Sequence, residues 1–329
     1  MLLDQKTSNR SSLKELLSDA RYAIEEAISE APLPAGLIER IRRSMQRDGR
    51  LLTSESSAGL ALLLLLSYEA ASGAEPAPAL PAAASFQFLL SAGDILDDLQ
   101  DDPGTEVGRA AASEAVALGA ALQALSHHTL NRMRVLSTTM ERGGMAAARL
   151  SGFSLKALGG QWSDASHDRR SAVSIDEALV IARQKSGALG RCAAEIGAAL
   201  GTADQDFVRL HGDFGEVLGT IHQLMNDIAS VWSGPGDCSD LATDSPTVPL
   251  ALVKSIARGV NESADTLVNL AGNRHHSVSG LQLRQMFWRS GAVHYTWGLA
   301  AVLKLRATQI AARIEEVRPA SRLGALLQA

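Results

Sequence analysis

Between Asp94 and Asp102 five of nine residues are aspartates, directly after the mostly apolar run Phe86 to Gly93. On a helix Asp94, Asp97, Asp98 and Asp101 fall at i, i+3, i+4 and i+7, so all four leave one face and repel one another unless a cation bridges them. Hard, oxygen-only donors suit magnesium, which keeps several waters and takes its other ligands from one or two carboxylates and a substrate's phosphates. A solvated acidic helix end is the plainer alternative, because charge runs are often simply exposed. Well over a hundred residues later comes a second oxygen-rich group: Asn226, Asp227 and Ser230, with Gln223 three residues before Asn226. Taken alone it is equally well read as local hydrogen bonding near a helix end. Two such oxygen-rich helices could face each other across a cavity, and Lys185-Ser186 lies between them in sequence.

Positioning these groups requires long helices. Ala, Leu, Glu, Arg and Gln dominate, and alternating β-branched runs of the kind that make strands are hard to find. The pattern predicts an all-α chain, with helices at about 12–31, 35–48, 55–73, 80–101, 109–137, 142–160, 175–201, 204–233, 246–273, 279–304 and 306–317. Breaks fall at Gly73 to Pro78, Asp102 to Gly104 and Ser233 to Asp237. None is long or polar enough for a linker, so one domain over 1–329 is expected, a large helical bundle with 1–11 disordered.

Composition narrows the function. A chain of 329 residues with 46% hydrophobic and 20% charged residues reads as globular. A net charge of -5 gives no reason to expect nucleic acid. The two cysteines, Cys192 and Cys238, have no metal-ligand spacing and suit free thiols in the cytoplasm. Met1 to Ser11 is polar and lacks the apolar core of a signal peptide, and Ala58 to Leu66 is too short to cross a bilayer, so no transmembrane segment is expected.

From about Asp48 to Leu252 the order and spacing of motifs resemble the trans-prenyl diphosphate synthase superfamily. Leu96-Asp97-Asp98-Leu99-Gln100-Asp101-Asp102 resembles its first aspartate-rich motif. Gly160-Gln161-Trp162-Ser163-Asp164 is similar to its Gly-Gln-x-x-Asp turn, and Lys185-Ser186 to its Lys-Thr helix. Gln223 to Ser230 sits at the second aspartate-rich motif, with Asn226 and Ser230 replacing the outer aspartates. Ser239-Asp240 and Pro246 to Leu250 resemble the family's next segment. The resemblance implies the class I isoprenoid fold, a helical bundle around a central cavity, in a homodimer. It also implies an allylic prenyl diphosphate substrate and Mg2+ as cofactor, three ions with the diphosphate. Metal ligands would be Asp97, Asp98, Asp101, Asn226, Asp227 and Ser230. Lys185, Gln161 and Gln223 would contact substrate.

The departures sharpen this reading. The Gly-Lys-Arg-x-Arg motif that holds isopentenyl diphosphate in chain-elongating members matches Gly49-Arg50-Leu51-Leu52-Thr53, leaving one cation. The family's Arg-Arg-Gly falls on Glu106-Val107-Gly108, and its preceding histidine on Leu90. Neither Leu nor Thr reproduces the bidentate guanidinium grip on phosphate. The chain therefore resembles a synthase that has kept the allylic diphosphate site and lost the co-substrate site, the pattern of terpene cyclases built on this fold. Asn226 and Ser230 also resemble the first two ligands of the cyclases' Asn-Ser-Glu triad, whose third position falls on Gly234. Two other readings stand beside it: transfer of the prenyl group to a peptide or other acceptor, or residual chain elongation; and a catalytically silent synthase subunit.

Substrate shape would be set near the first motif. Ala92 and Gly93 are small where bulky residues would plug the pocket, which suits a C15 or longer chain, with Phe88 on its wall. Asp94 would face that hydrocarbon pocket, a costly place for a carboxylate unless paired. Phe287, His294 and Tyr295 would share one helix face at i, i+7 and i+8, either as core or as a cation-stabilising wall. His222 is expected to pack in the core.

Overall fold

The computed structural model describes residues 11–46, 59–101, 106–136, 140–166, 173–232, 246–259, 280–319 and 321–328, and among these there are helices and no strands. The expected matches at Gly49 to Thr53, Gly234 and Ser239-Asp240 lie outside the described residues, as do Asp102 and Cys238. The helices are α1 (Leu13–Ser29), α2 (Ala35–Met45), α3 (Gly59–Ser72), α4 (Leu80–Asp101), α5 (Glu106–Leu136), α6 (Met140–Ser166), α7 (Ile175–Ala182), α8 (Ala188–Gly201), α9 (Gln205–Trp232), α10 (Val248–Gly259), α11 (Gly280–Arg289) and α12 (Ala292–Val317). A π-helical turn, Arg183–Gly187, joins α7 to α8.

The contacts divide into two units. One comprises 1–155, 192–212 and 311–329, the other 156–191 and 213–310.

In the first unit α1 starts at a capping box: Glu15 N–H donates to Ser12 Oγ, and Ser12 N–H to the Glu15 carboxylate. α3 is apolar around most of its circumference, and Leu63 to Leu66 are fully buried. Its Glu69 is only 2% exposed, a cost offset by Arg322, which grips both carboxylate oxygens and also donates to the Ser11 carbonyl at 2.6 Å. α4 packs along α5, where the buried Ser85 donates to the Ser126 carbonyl at 2.7 Å. Gly119 of α5 makes room for Leu96, whose side chain would lie 3.1 Å from a Cβ there. The span Ala77–Leu96 is long and apolar enough to cross a membrane by length and composition, but 67% of its apolar 18-residue window is buried, as in a core helix.

The second unit is built where α8 crosses α9. A Cβ on Gly190 would overlap the Gly215 carbonyl oxygen, and one on Gly219 would overlap the Ser186 carbonyl oxygen. Only glycine permits backbones to meet so closely. Downstream, Ile228, Val231, Leu250, Val253, Phe287 and Val293 form one core cluster; Leu224, Val248, Ala251 and Ala300 belong to another, with Ala178 and Ala182.

Two expected elements differ. The helix expected over 279–304 is interrupted at Ser290-Gly291, because Gly291 takes φ +75°, and α12 then runs unbroken through 304–306. The Gly160-Gln161 segment is not a turn but part of α6.

Candidate active site

α4 remains helical through Asp101, so Asp94, Asp97, Asp98 and Asp101 lie on one continuous helix at the expected spacings. The side chains of Asp97, Asp98 and Asp101, like that of Gln161, lie outside the described residues. Upstream, Phe88 and Ala92 are fully buried. Asp94, expected to face a hydrocarbon pocket, is exposed instead. Two residues along a helix turn a side chain by about 200°, so a buried Ala92 sends Asp94 to the other side. Gly93 is half-buried, and no heavy atom stands within 4 Å of a Cβ placed on it, which keeps space beside the aspartate helix.

The second unit brings Lys185 and the second motif together. The Ala188 N–H reaches back five residues to the Arg183 carbonyl, which defines the π turn that carries the exposed Lys185. A Cβ on Gly187 would stand 2.7 Å from Thr220 Oγ1, so this turn lies hard against α9. Ser186 Oγ donates to Gln223 Oε1, and Gln223 Nε2 donates to Asp227 Oδ1 at 2.8 Å. One chain of hydrogen bonds thus runs from the lysine-bearing turn to the second motif.

That motif is split by burial. Asp227 is 3% exposed and accepts from Gln223, whereas Asn226, about 100° round the helix, is exposed. Ser230 is half-buried and donates to the Asp227 backbone carbonyl at 2.9 Å. His222 reaches the surface rather than the core, yet partial burial lowers its pKa. The neutral ring can then accept from Asn226 Nδ2, 3.3 Å from His222 Nδ1. Asn226 Oδ1 and Ser230 Oγ are hard neutral oxygens at i and i+4, a donor pair that fits magnesium from one side. Among the described residues no group of three or more His, Cys, Asp or Glu could hold a metal by itself.

Sequence reasoning missed the ionic network beside this chain. Glu216 receives Arg183 and Arg191, and Arg191 Nη2 also reaches Asp213 Oδ1 at 2.6 Å. Burial alone would raise the Glu216 pKa, but hydrogen bonds from Arg191 and Arg183 outweigh it and leave it below the ordinary carboxylate value. The legible signal was Asp213 and Glu216 at i, i+3 on one helix, with two arginines eight residues apart on its neighbour.

The aromatic stripe does not survive the break at Gly291. Phe287 is buried in α11, while Tyr295 of α12 is 44% exposed. Trp288 instead meets Trp232 and His294, with ring centroids 6.1 and 4.5 Å away. A groove of about 350 Å³ lined by Val173, Asp176, Ser255 and Tyr295 contains none of the expected metal or diphosphate ligands, and of the expected aromatic wall only Tyr295.

The polyprenyl synthetase family model matches residues 60–283. The chain is 28% identical over 213 residues to a (2E,6E)-farnesyl diphosphate synthase of Mycobacterium tuberculosis, covering 61% of this chain and 58% of that protein. It is 25% identical over 281 residues to a short chain isoprenyl diphosphate synthase of Methanothermobacter thermautotrophicus, covering 80% of this chain and 84% of that one. The chain thus spans less than two thirds of the length of the mycobacterial relative. Among solved structures, a polyprenyl synthetase from Streptomyces coelicolor A3(2) superposes with a TM-score of 0.75 at 23% identity, covering 96% of this chain and 99% of that one. A geranylgeranyl pyrophosphate synthetase from Pyrococcus horikoshii Ot3 gives 0.78 at 19% identity, covering 96% and 94%. These likenesses establish the fold.

Proposed function

Because the chain belongs to the polyprenyl synthetase family, we propose that it ionises one allylic prenyl diphosphate of C15 or longer, and that the allylic cation then closes on its own double bonds. The carbon–oxygen bond breaks, its electron pair leaves with pyrophosphate, and loss of a proton or capture of water ends the cascade. The observation that carries this reading is the hydrogen-bond chain Ser186–Gln223–Asp227, which ties the Lys185 turn to the Asn226 helix within one unit.

Each residue then has a part. Lys185 places an ammonium against the departing diphosphate, where developing negative charge makes it most effective. Ser186 and Gln223 fix that turn against α9. Asp227, buried and bonded to Gln223, orients the amide, while Asn226 and Ser230 present oxygen outward. Asp97, Asp98 and Asp101 would hold magnesium from α4. Bound magnesium would supply Lewis-acid neutralisation of the diphosphate oxygens. The loss of cations at Gly49 to Thr53 and Glu106 to Gly108 favours an intramolecular fate over attack by a second diphosphate.

Chain elongation is the second reading, favoured by the names of the relatives, which are farnesyl, geranylgeranyl and short-chain isoprenyl diphosphate synthases. Incubation with magnesium and geranyl, farnesyl, geranylgeranyl or geranylfarnesyl diphosphate, with and without isopentenyl diphosphate, separates the two. Hydrocarbon or alcohol formed without isopentenyl diphosphate supports cyclisation. A longer diphosphate formed only in its presence replaces that reading with elongation.

A further inference from the structure

Arg183, the first residue of the π turn, and Arg191, just beyond its end in α8, converge on one carboxylate: Arg183 Nε on Glu216 Oε1, and Arg191 Nε on Glu216 Oε2 at 2.6 Å. The Glu216 side chain is 14% exposed, and its backbone carbonyl would lie 3.1 Å from a Cβ on Gly187, so it sits directly beneath the turn. A π turn holds one residue more than an α turn and is intrinsically less stable. Relaxing it to α geometry rotates α8 relative to α7 by about 100°. A clamp at the start of the turn and just beyond its end opposes that rotation.

We propose that Glu216 is a positioning residue which, by tying the start of the π turn and the segment just beyond its end to α9, sets the direction in which Lys185 meets pyrophosphate. The proposal rests on the reading that Lys185 contacts the leaving diphosphate. Charge alone predicts the opposite sign, since a carboxylate near the site repels a polyanion and its removal should tighten binding.

The test titrates magnesium pyrophosphate into the full-length protein by calorimetry for wild type, Glu216→Gln, Arg183→Ala, Lys185→Ala and the double variant K185A/E216Q. Amide exchange over 183–190 is measured in parallel. Lys185→Ala should weaken binding about tenfold, and Glu216→Gln about fivefold, while adding less than about twofold in the Lys185→Ala background. Exchange over the turn should rise in Glu216→Gln. Tighter or unchanged binding in Glu216→Gln, or equal weakening with and without Lys185, overturns the positioning role. If Lys185→Ala binds as well as wild type, the functional reading of Lys185 fails and the positioning role with it, even where exchange shows the clamp intact. If Lys185→Ala weakens binding but Glu216→Gln changes neither binding nor exchange, the clamp alone is wrong. Arg183→Ala covers the case in which Glu216→Gln does not fold. Its side chain is 58% exposed, and it should weaken binding about twofold by releasing one end of the turn.

Discussion

Along α9, the stretch Asp213 to Gly219 and the stretch Gln223 to Ser230 treat polar groups in opposite ways. In the first, Asp213 and Glu216 are met by arginines, Thr220 Oγ1 just beyond donates to the Glu216 carbonyl, and glycines lie against the neighbouring backbone. In the second, Asp227 is buried and bonded while Asn226, one residue away, is exposed. In the first stretch both carboxylates are engaged by arginines of the neighbouring segment. The second sets an exposed amide beside a buried, hydrogen-bonded carboxylate. The ion-paired Glu216 and the hydrogen-bonded Gln223 are separated by about two turns of one helix.

The most severe way to break this contrast is to add a side chain to the sealed stretch. Gly219→Val should abolish folding or cost at least about 4 kcal/mol, because its Cβ would overlap the Ser186 carbonyl and the whole crossing must shift. A thermal midpoint equal to wild type would show the crossing to be looser than described. Asp97→Ala combined with Asp98→Ala should act on chemistry and spare the fold. Turnover of an allylic diphosphate should fall by at least about a hundredfold, with thermal stability unchanged or raised as self-repelling carboxylates are removed. Retained turnover would remove α4 from the metal site.

A third prediction concerns pH, near the start of the sealed stretch. His211 is fully buried, neither ring nitrogen has a hydrogen-bond partner among the described residues, and burial lowers its pKa to about 4 from 6.5. As pH falls the unfolded chain takes up the proton first, so this stability is whole above 6.5 and is lost progressively between 6.5 and 4. The loss amounts to roughly 3 kcal/mol. Glu216 acts in the same direction at lower pH: its depressed pKa contributes stability above the ordinary carboxylate value, lost as pH drops through the folded value. Urea midpoints from pH 7.5 to 4.5 should fall in wild type and flatten in His211→Phe; parallel curves would remove His211 as the cause. The smallest effect belongs to the presenting stretch: Asn226→Asp should lower the magnesium concentration for half-maximal turnover by about threefold without changing stability, since a charged oxygen replaces a neutral one. An unchanged magnesium dependence would show that Asn226 does not hold the ion.

Much of this was legible from residue types. The bounds of α4 reflect an apolar run ending in aspartates before a proline, and the capping box at Ser12 marks the first helix. The interruption at Gly291 was hidden because an apolar period continues across it, and one glycine inside a helical pattern is compatible with either outcome. That break separates Phe287 from Tyr295 and turns an expected common wall into one buried and one exposed ring. Asp94 shows the same limit: its i, i+3 relation to Asp97 was plain, but which side of α4 meets solvent depends on the helices packed around it.

Local chemistry alone gave the all-helical class, most of the helices and the side-chain types that could hold a cation, since periodicity and donor hardness are properties of short segments. Tertiary packing decided that Asp227 turns inward while Asn226 turns out, that the segment after α7 widens into a π turn, and that a glutamate on α9 clamps it. Burial and hydrogen-bond partnership depend on groups brought together from distant parts of the chain, and no local pattern encodes those neighbours.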